Sequence, residues 1–284
     1  MYRVEKDEGQ KDEGLSFVSS CRMHARPDFS DKTKESPWYN CEMYRVTPFV
    51  QDEHYHLYNR GAHKQAIFLD ERDCRRFQVL LYLANDQAPI DVRNTLKKYE
   101  GESFVQLYGA ERKSGPLVDI LAYALLPNHF HLIVRQLADG GISAFMRKLC
   151  TGYSMYFNLR HGRSGTLFQG PYKGNHIDTD PYFQWAFAYV HLNPVAMVEP
   201  EWSAKRIADI AKAQVFLDEY RFSSYPDYYC YRRPERSILA YEDAMHLIET
   251  KKDVEALLSS YGRGRVLYTS HEPVEKKESA GLRE

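Results

Sequence analysis

The spacing of apolar residues in the first half of the chain predicts one strand, one helix and then a pair of strands. His54 to Arg60 alternates with a period of two, which is typical of a half-buried strand. Asp70 to Ala84 carries leucine and phenylalanine at helical spacing, with Asp70 in the position of an N-cap. Val118 to Leu126 and Phe130 to Val134 are apolar runs separated by a Pro-Asn turn, so they predict two adjacent strands.

The pattern continues with a helix, a strand and a second helix. Ile142 to Arg160 has a helical period, and Thr166 to Ile177 is predicted as a further strand. The last helix begins at Asp180, which a proline follows, and ends at Asn193, which precedes another proline. The order β-α-β-β-α-β-α indicates an α+β fold, with a ferredoxin-like antiparallel sheet and helices on one face.

The regions on either side of this domain have a different character. Residues 1–42 are polar and aperiodic, which predicts a disordered extension, and residues 263–284 are predicted as a disordered tail. The predicted sheet domain therefore occupies residues 43–200. Further helical periods over 204–219 and 241–259 predict a helical C-terminal extension that spans residues 201–262.

Composition narrows the class of protein. The 284 residues are 43% hydrophobic and 27% charged, which is the balance of a globular protein with a sizeable core. The 38 basic residues nearly cancel the 39 acidic ones, so any binding of nucleic acid has to come from a local patch. The apolar runs are too short to cross a bilayer, and no signal-peptide pattern opens the chain, which argues against membrane and secreted proteins. Five scattered cysteines without a C-x-x-C pair favour a reducing, cytoplasmic location.

Two histidines on the predicted strand after the Pro-Asn turn are candidate metal ligands. His129 and His131 lie two residues apart, so their side chains project from the same face of a strand, about 6–7 Å apart. Two neutral imidazoles at that spacing can bind a single divalent ion. The alternative is a pair of partly exposed histidines beside a turn. His54 and His56 repeat the pattern on the neighbouring strand, either as a structural pair or as half of a four-histidine zinc site.

Tyr189 is the candidate nucleophile. It lies four residues before Asn193, so the two side chains share one face of the predicted helix. A tyrosine beside a metal-ligating amide is suited to attack a phosphodiester, because the phenol oxygen retains the phosphoryl group as a covalent ester. The alternative is a role in packing, since the chain has 22 tyrosines. The nearest competitors for the role of nucleophile are Tyr153, Tyr156, Tyr172 and Tyr182.

A local basic stretch provides the patch that the whole chain lacks. Between Gly140 and Ile177 there is no acidic residue, while five basic residues give a formal charge of +5. Aromatic residues are interleaved with them, which is the composition of a surface that binds single-stranded or hairpin DNA; the alternative is an ordinary helix with a solvated face. The candidate DNA-binding residues are Arg147, Lys148, Arg160, Arg163 and Lys173, together with Arg60 at the end of the first strand.

An ordered set of motifs resembles a known family. The sequence Tyr58-Asn59-Arg60-Gly61 is followed by Leu126-Pro127-Asn128-His129-Phe130-His131-Leu132 and then by Tyr156-Phe157-Asn158. Gly165-Thr166-Leu167-Phe168-Gln169-Gly170 and Tyr189-Val190-His191-Leu192-Asn193-Pro194 complete the set. In this order the motifs resemble the REP-associated tyrosine transposases, which belong to the single-tyrosine HUH superfamily of transposases and nucleases. The resemblance covers roughly half of the chain.

The resemblance implies an activity and a role for each candidate residue. Residues 43–200 would form a ferredoxin-like catalytic domain that binds Mg²⁺ or Mn²⁺ through His129 and His131, with Asn193 as a third ligand. Tyr189 would attack single-stranded DNA and leave a 5′-phosphotyrosine and a free 3′-OH. The implied substrate is a palindromic repeat that forms a hairpin, flanked by a short recognition tetranucleotide. Whether the protein is a monomer or a homodimer stays open.

The sequence departs from the family pattern where the substrate would be held. Pro171 stands where the family usually has an arginine, and the segment after Pro194 is shortened and lacks another arginine. Three functions therefore stay open: a metal-dependent enzyme that nicks and transfers DNA strands, a non-catalytic nucleic-acid-binding protein derived from such an enzyme, and a zinc hydrolase that uses both histidine pairs. The identity of the metal separates the first from the third.

Overall fold

Four antiparallel strands form the central sheet of the computed structural model, which describes residues 48–89, 91–98, 107–108, 114–202 and 207–248. The strands are β1 (His54–Arg60), β2 (Val118–Leu126), β3 (His129–Gln136) and β4 (Lys173–Ile177), in the spatial order β2-β3-β1-β4. This is the strand order of a ferredoxin-like sheet, and the predicted α+β class is confirmed. The predicted extensions 1–42 and 263–284 lie outside the described residues.

The helices of the predicted order are present, together with a short one, Val92–Lys98, that the sequence did not predict. They are α1 (Glu71–Leu83), α2 (Val92–Lys98), α3 (Gly141–Arg160), α4 (Asp180–Leu192), α5 (Ile210–Glu219), α6 (Tyr225–Tyr229) and α7 (Tyr241–Leu247). The side chain of Asp70 caps α1 by accepting hydrogen bonds from the backbone N–H groups of Arg72 and Asp73, as the sequence predicted. A short 3₁₀ helix, Asn193–Met197, continues directly from α4 because Pro194 cannot extend the α-helical hydrogen bonds.

The two helices of the ferredoxin-like plan cover one face of the sheet. Phe77 of α1 packs against Phe130 of β3 and against Tyr153 of α3, and all three side chains are fully buried. The alternation along β3 explains this, because Phe130, Leu132 and Val134 point to the face that α1 and α3 cover. Burial of large aromatic side chains dominates the stability of this layer.

The fourth helix covers the other face, which differs from the predicted placement of helices on one face. Phe183 and Phe187 of α4 pack with Ile133 of β3 and Ala124 of β2 in a second buried cluster. The expectation holds for α1 and α3 but not for α4. The reason is that β2 and β3 are apolar on both faces, so both faces need a cover, and α4 returns across the sheet from its edge strand β4. This face also carries the two candidate histidine pairs.

The C-terminal segment closes the free edge of β2. The backbone N–H of Leu125 donates to Phe222, and the backbone N–H of Ser224 donates to Tyr123, each at 2.9 Å. Helix α5 begins at Ile210, later than the predicted 204, and α7 begins at Tyr241 as predicted. The remainder of the predicted 241–259 helix beyond 248 lies outside the described residues. Because the outer edge of β2 is paired in this way, it does not expose a row of backbone groups.

Two further observations, on cysteines and on helix length, concern the described residues only. Their cysteines, Cys74, Cys150 and Cys230, are free thiols. Among the same residues no helix is both long and apolar enough to cross a membrane.

Candidate active site

The turn before β3 fixes the first of the two candidate metal ligands. Asn128 accepts a hydrogen bond from the backbone N–H of Gly61 through its carbonyl oxygen, so the turn is held by the end of β1. The side chain Oδ1 of Asn128 lies 2.6 Å from Nδ1 of His129. Since an amide oxygen only accepts, this contact places the proton of a neutral imidazole on Nδ1 and leaves the lone pair on Nε2. His129 is thereby prepared as a ligand through Nε2.

The second candidate ligand is buried and paired with a histidine from the neighbouring strand. Nδ1 of His131 lies 2.9 Å from Nε2 of His56, and the two rings stack with an interplanar angle of 21°. Burial lowers the pKa of His56 to about 4 and lowers the pKa of His131 well below its usual value, with the neighbouring His56, His129 and Arg60 as smaller causes for His131. Both rings are therefore neutral near pH 7, which is the form that binds a metal.

The candidate nucleophile lies over this pair of histidines. The ring of Tyr189 is 5.8 Å from the ring of His131 and 6.0 Å from that of His56, nearly perpendicular to both. Trp185, one helical turn earlier, stacks on Tyr189 at 5.1 Å with an interplanar angle of 10°. The ring of Trp202 lies 6.1 Å from that of Tyr189. Tyr189 is half-buried, and its position is defined by these four aromatic contacts.

Asn193 lies at the end of the same helix. Its side-chain Nδ2 donates a hydrogen bond of 3.0 Å to the backbone carbonyl of Tyr189, one turn earlier. The amide nitrogen is thus used within the helix end, and Oδ1 is the atom that would serve a cation. The side chain is buried.

The tyrosines that competed with Tyr189 in the sequence are placed elsewhere. Tyr153 is fully buried and donates to the carbonyl of Ile67, and Tyr156 bonds to the carboxylate of Asp73. Tyr172 stacks on Phe49, and Tyr182 is buried against Trp185. Among the tyrosines weighed from the sequence, Tyr189 therefore has the ring contacts with both His56 and His131.

One tyrosine near the histidines was missed by the sequence analysis. Tyr58 lies opposite His131 in the pairing of β1 with β3, and the two rings stack at 5.8 Å. Desolvation raises the pKa of Tyr58, which favours its neutral phenol. The alternation along β1 was the available signal, because it places Tyr58 on the same face as His56.

The chemistry of the two imidazoles suits a divalent cation, and their rings lie 5.1 Å apart. Burial keeps His131 neutral, and Asn128 fixes the tautomer of a neutral His129. Among the described residues there is no metal-binding group made of three or more His, Cys, Asp or Glu side chains; Asn193 is the residue of another type that the sequence predicted as a third ligand. The four-histidine zinc site receives no support within these ranges, since His54 packs against Phe183 and its Nε2 is buried without a hydrogen-bond partner.

The predicted DNA-binding residues divide into two groups. Three of them make contacts within the protein: Lys148 donates to the backbone carbonyls of Asp86 and Ala88, Arg160 pairs with Asp70 and with the fully buried Asp73, and Arg163 donates to Gln65. A guanidinium that balances two carboxylates adds little to the field around the molecule, so the outward basic surface is smaller than the composition suggested.

The other three basic residues are placed differently. Arg147 is exposed on α3, on the face of the sheet away from α4. Lys173 is exposed on β4, with its Nζ 5.9 Å from the ring centroid of Tyr58. Arg60 lies opposite His129 in the pairing of β1 with β3. Arg60 and Lys173 are therefore the predicted cations that the fold brings to the histidine pair.

Comparison with known proteins gives one distant likeness. No family model and no curated protein matches the chain. A solved structure described as a REP-associated tyrosine transposase bound to a REP hairpin is similar, with 16% sequence identity and a TM-score of 0.38. The similarity covers 65% of this chain and 83% of that one, and it concerns the fold alone.

Proposed function

We propose that this protein is a metal-dependent DNA nickase and strand transferase that acts on single-stranded hairpin DNA, with Tyr189 as the nucleophile. The observation that carries the proposal is the position of Tyr189, whose ring lies 5.8 Å from that of His131 although the two residues are far apart in sequence. A half-buried phenol beside the neutral imidazoles of His56 and His131 is a suitable arrangement for phosphodiester attack.

The side chains around Tyr189 hold its ring for an in-line attack on phosphorus. Trp185 stacks on one side, and the imidazoles of His56 and His131 meet the ring at steep angles. A nucleophile fixed in this way loses little further freedom when the DNA binds, which is a main source of rate enhancement. The buried Trp202 also contacts the Tyr189 ring, at 6.1 Å.

The proposed reaction is a balanced transesterification. A bond forms between the phenol oxygen of Tyr189 and the phosphorus, while the bond from phosphorus to the 3′-oxygen breaks. The phenol proton passes to water, and the departing oxygen takes up a proton to become the free 3′-OH. The protein is left with a 5′-phosphotyrosine, and attack by a 3′-OH on this ester joins the strands again, so no oxidant or other reactant is needed.

His129 and His131, with Oδ1 of Asn193, are the residues that would hold Mg²⁺ or Mn²⁺. Such an ion supplies positive charge beside the scissile phosphate. The DNA backbone would be held by Arg60 and Lys173 near the histidines and by Arg147 on the exposed surface of α3, because cations provide most of the affinity for phosphates.

The proposal is tested by a search for the covalent product. The protein is incubated with end-labelled hairpin DNA and Mn²⁺, and the products are separated under denaturing conditions. We expect a labelled protein–DNA adduct that is absent with Tyr189→Phe and present with Tyr58→Phe, the matched control beside the same histidine. Binding of hairpin DNA with no adduct over varied flanking sequences would contradict the enzyme and support a binding protein derived from it.

A further inference from the structure

His56 makes a hydrogen bond that the proposed function does not yet explain. Its Nε2 lies 2.9 Å from Nδ1 of His131, and both side chains are buried. We infer that His56 is a positioning residue, whose ring nitrogen accepts the Nδ1 proton of His131 and so holds the Nε2 lone pair of His131 ready to ligate a divalent cation. This inference rests on the proposed function, because it gives His131 the role of a ligand.

The inference follows from the hydrogen bond between the two rings, which needs one nitrogen that donates and one that accepts. A single proton therefore lies between Nε2 of His56 and Nδ1 of His131. If it belongs to His131, the other nitrogen of His131 has a free lone pair and can bind a metal. If it belongs to His56, the second proton of the pair lies on Nε2 of His131 and blocks that atom. The side on which this proton lies therefore decides whether His131 is a ligand.

The fold holds His56 in place from several directions. The pairing of β1 with β3 sets the two side chains on the same face, and their rings stack at 5.1 Å. Tyr58 and Tyr189 contact the His56 ring at 5.3 and 6.0 Å, so the imidazole is enclosed by aromatic neighbours. Such partners behind a ligand histidine orient the ring and raise its basicity, and their loss costs about 10–100-fold in metal affinity.

The chain provides a matched control two residues away. His54 lies on the same strand and the same face as His56, but it packs against Phe183, and its Nε2 is buried without a hydrogen-bond partner. Replacement of either histidine by phenylalanine preserves an aromatic ring and removes the nitrogens. A loss that occurs at position 56 and not at position 54 thus reports on the hydrogen bond rather than on packing.

The first measurement is the affinity of the full-length, metal-free protein for Mn²⁺, by calorimetry, together with the melting temperature of each variant. We expect His56→Phe to weaken Mn²⁺ binding about 10–100-fold, and His54→Phe to leave it within a factor of about two of the wild type. His56→Gln places an amide oxygen near the position of Nε2, so it should restore most of the affinity. Wild-type affinity in a folded His56→Phe protein would overturn the inference.

The second measurement locates the proton directly. The ¹⁵N chemical shifts of labelled histidines distinguish a protonated from an unprotonated ring nitrogen. In the metal-free wild type we expect the proton of His131 on Nδ1, and in His56→Phe we expect a mixture of tautomers or a shift to Nε2. A proton on Nε2 of His131 in the wild type would overturn the inference.

The two measurements separate failure of the inference from failure of the proposed function. A wild-type protein that forms the covalent adduct, but whose metal affinity and tautomer are unaffected by His56→Phe, would overturn the inference alone. A wild type that binds no Mn²⁺ and forms no adduct would contradict the proposed function. In that case the ¹⁵N chemical shifts of His131 still show whether His56 accepts the Nδ1 proton of His131.

Discussion

The phenol ring of Tyr189 lies parallel to the indole ring of Trp185, with a 10° angle between the planes and 5.1 Å between the centroids. The two residues are four apart on α4, so a single turn of helix provides both the proposed nucleophile and the surface against which it rests. The position of a nucleophile relative to its phosphate accounts for a large part of the rate enhancement in catalysis. Loss of the stack should therefore be measurable as a lower reaction rate.

Replacement of Trp185 by leucine should slow formation of the covalent adduct without loss of hairpin binding. The leucine preserves an apolar side chain but removes the flat surface that holds Tyr189, and misplacement of a reacting group by about 1 Å costs up to about 100-fold in rate. The measurement is the single-turnover rate of adduct formation. Tyr182→Phe is the control, because phenylalanine preserves the ring that stacks on Trp185 and removes only the hydroxyl. An unchanged rate in a folded Trp185→Leu protein would contradict a role for the stack.

The metal ligands should be separable from DNA binding. We expect His129→Ala to abolish the adduct while hairpin affinity stays within about threefold of the wild type, since the cations that bind phosphate are unchanged. Asn128→Ala removes the acceptor that fixes the tautomer of His129 and should weaken Mn²⁺ binding by about tenfold. Equal loss of cleavage and binding in His129→Ala would count against the assignment.

The structure distinguishes two adjacent basic residues that the sequence treated alike. Arg147 is exposed, whereas the ammonium of Lys148 donates to the carbonyls of Asp86 and Ala88. We expect Arg147→Gln to lower the slope of log affinity against log salt by about 0.7–0.9, the value for one phosphate contact. Lys148→Gln should leave that slope unchanged. Equal slopes for Arg147→Gln and the wild type would place Arg147 off the DNA path.

Asp73 should be important for folding rather than for DNA. Its buried carboxylate accepts hydrogen bonds from the backbone of Leu69, from Tyr156 and from Arg160. We expect Asp73→Ala to lower the free energy of unfolding by about 2–3 kcal/mol, because three part-buried donors lose their buried acceptor. The control is Asp70→Ala, an exposed N-cap whose loss should cost about 1 kcal/mol. Urea unfolding monitored by circular dichroism measures both, and a smaller effect at position 73 than at position 70 would contradict the ranking.

Features within a single element could be predicted from the sequence. The period of a strand places His129 and His131 on one face, the period of a helix places Tyr189 beside Asn193, and Asp70 caps α1. Each of these depends on residues only a few positions apart. Local geometry is enough to fix them, because the repeat of a helix or a strand sets which side chains share a face.

Features that join distant elements could not be predicted in the same way. The bond from His56 to His131 requires the register of β1 against β3, and the pairing of Arg160 with Asp73 joins residues 87 positions apart. The composition of the basic stretch predicts that Arg160 is an outward cation. The carboxylates that balance its charge, Asp70 and Asp73, lie at the start of α1 and cannot be paired with it from composition. The face covered by α4 likewise depends on the sheet having two apolar faces.

The most direct measurement of the central claim is the identity of the residue that becomes linked to DNA. After reaction with hairpin DNA and Mn²⁺, the adduct is digested with protease and nuclease and the modified peptide is sequenced by mass spectrometry. We predict a peptide that contains residues 182–193, with the 5′-phosphate of a nucleotide on Tyr189 and a free 3′-OH on the released strand. Linkage to another residue, such as Tyr58, or a 3′-linked nucleotide on any residue, would contradict the account.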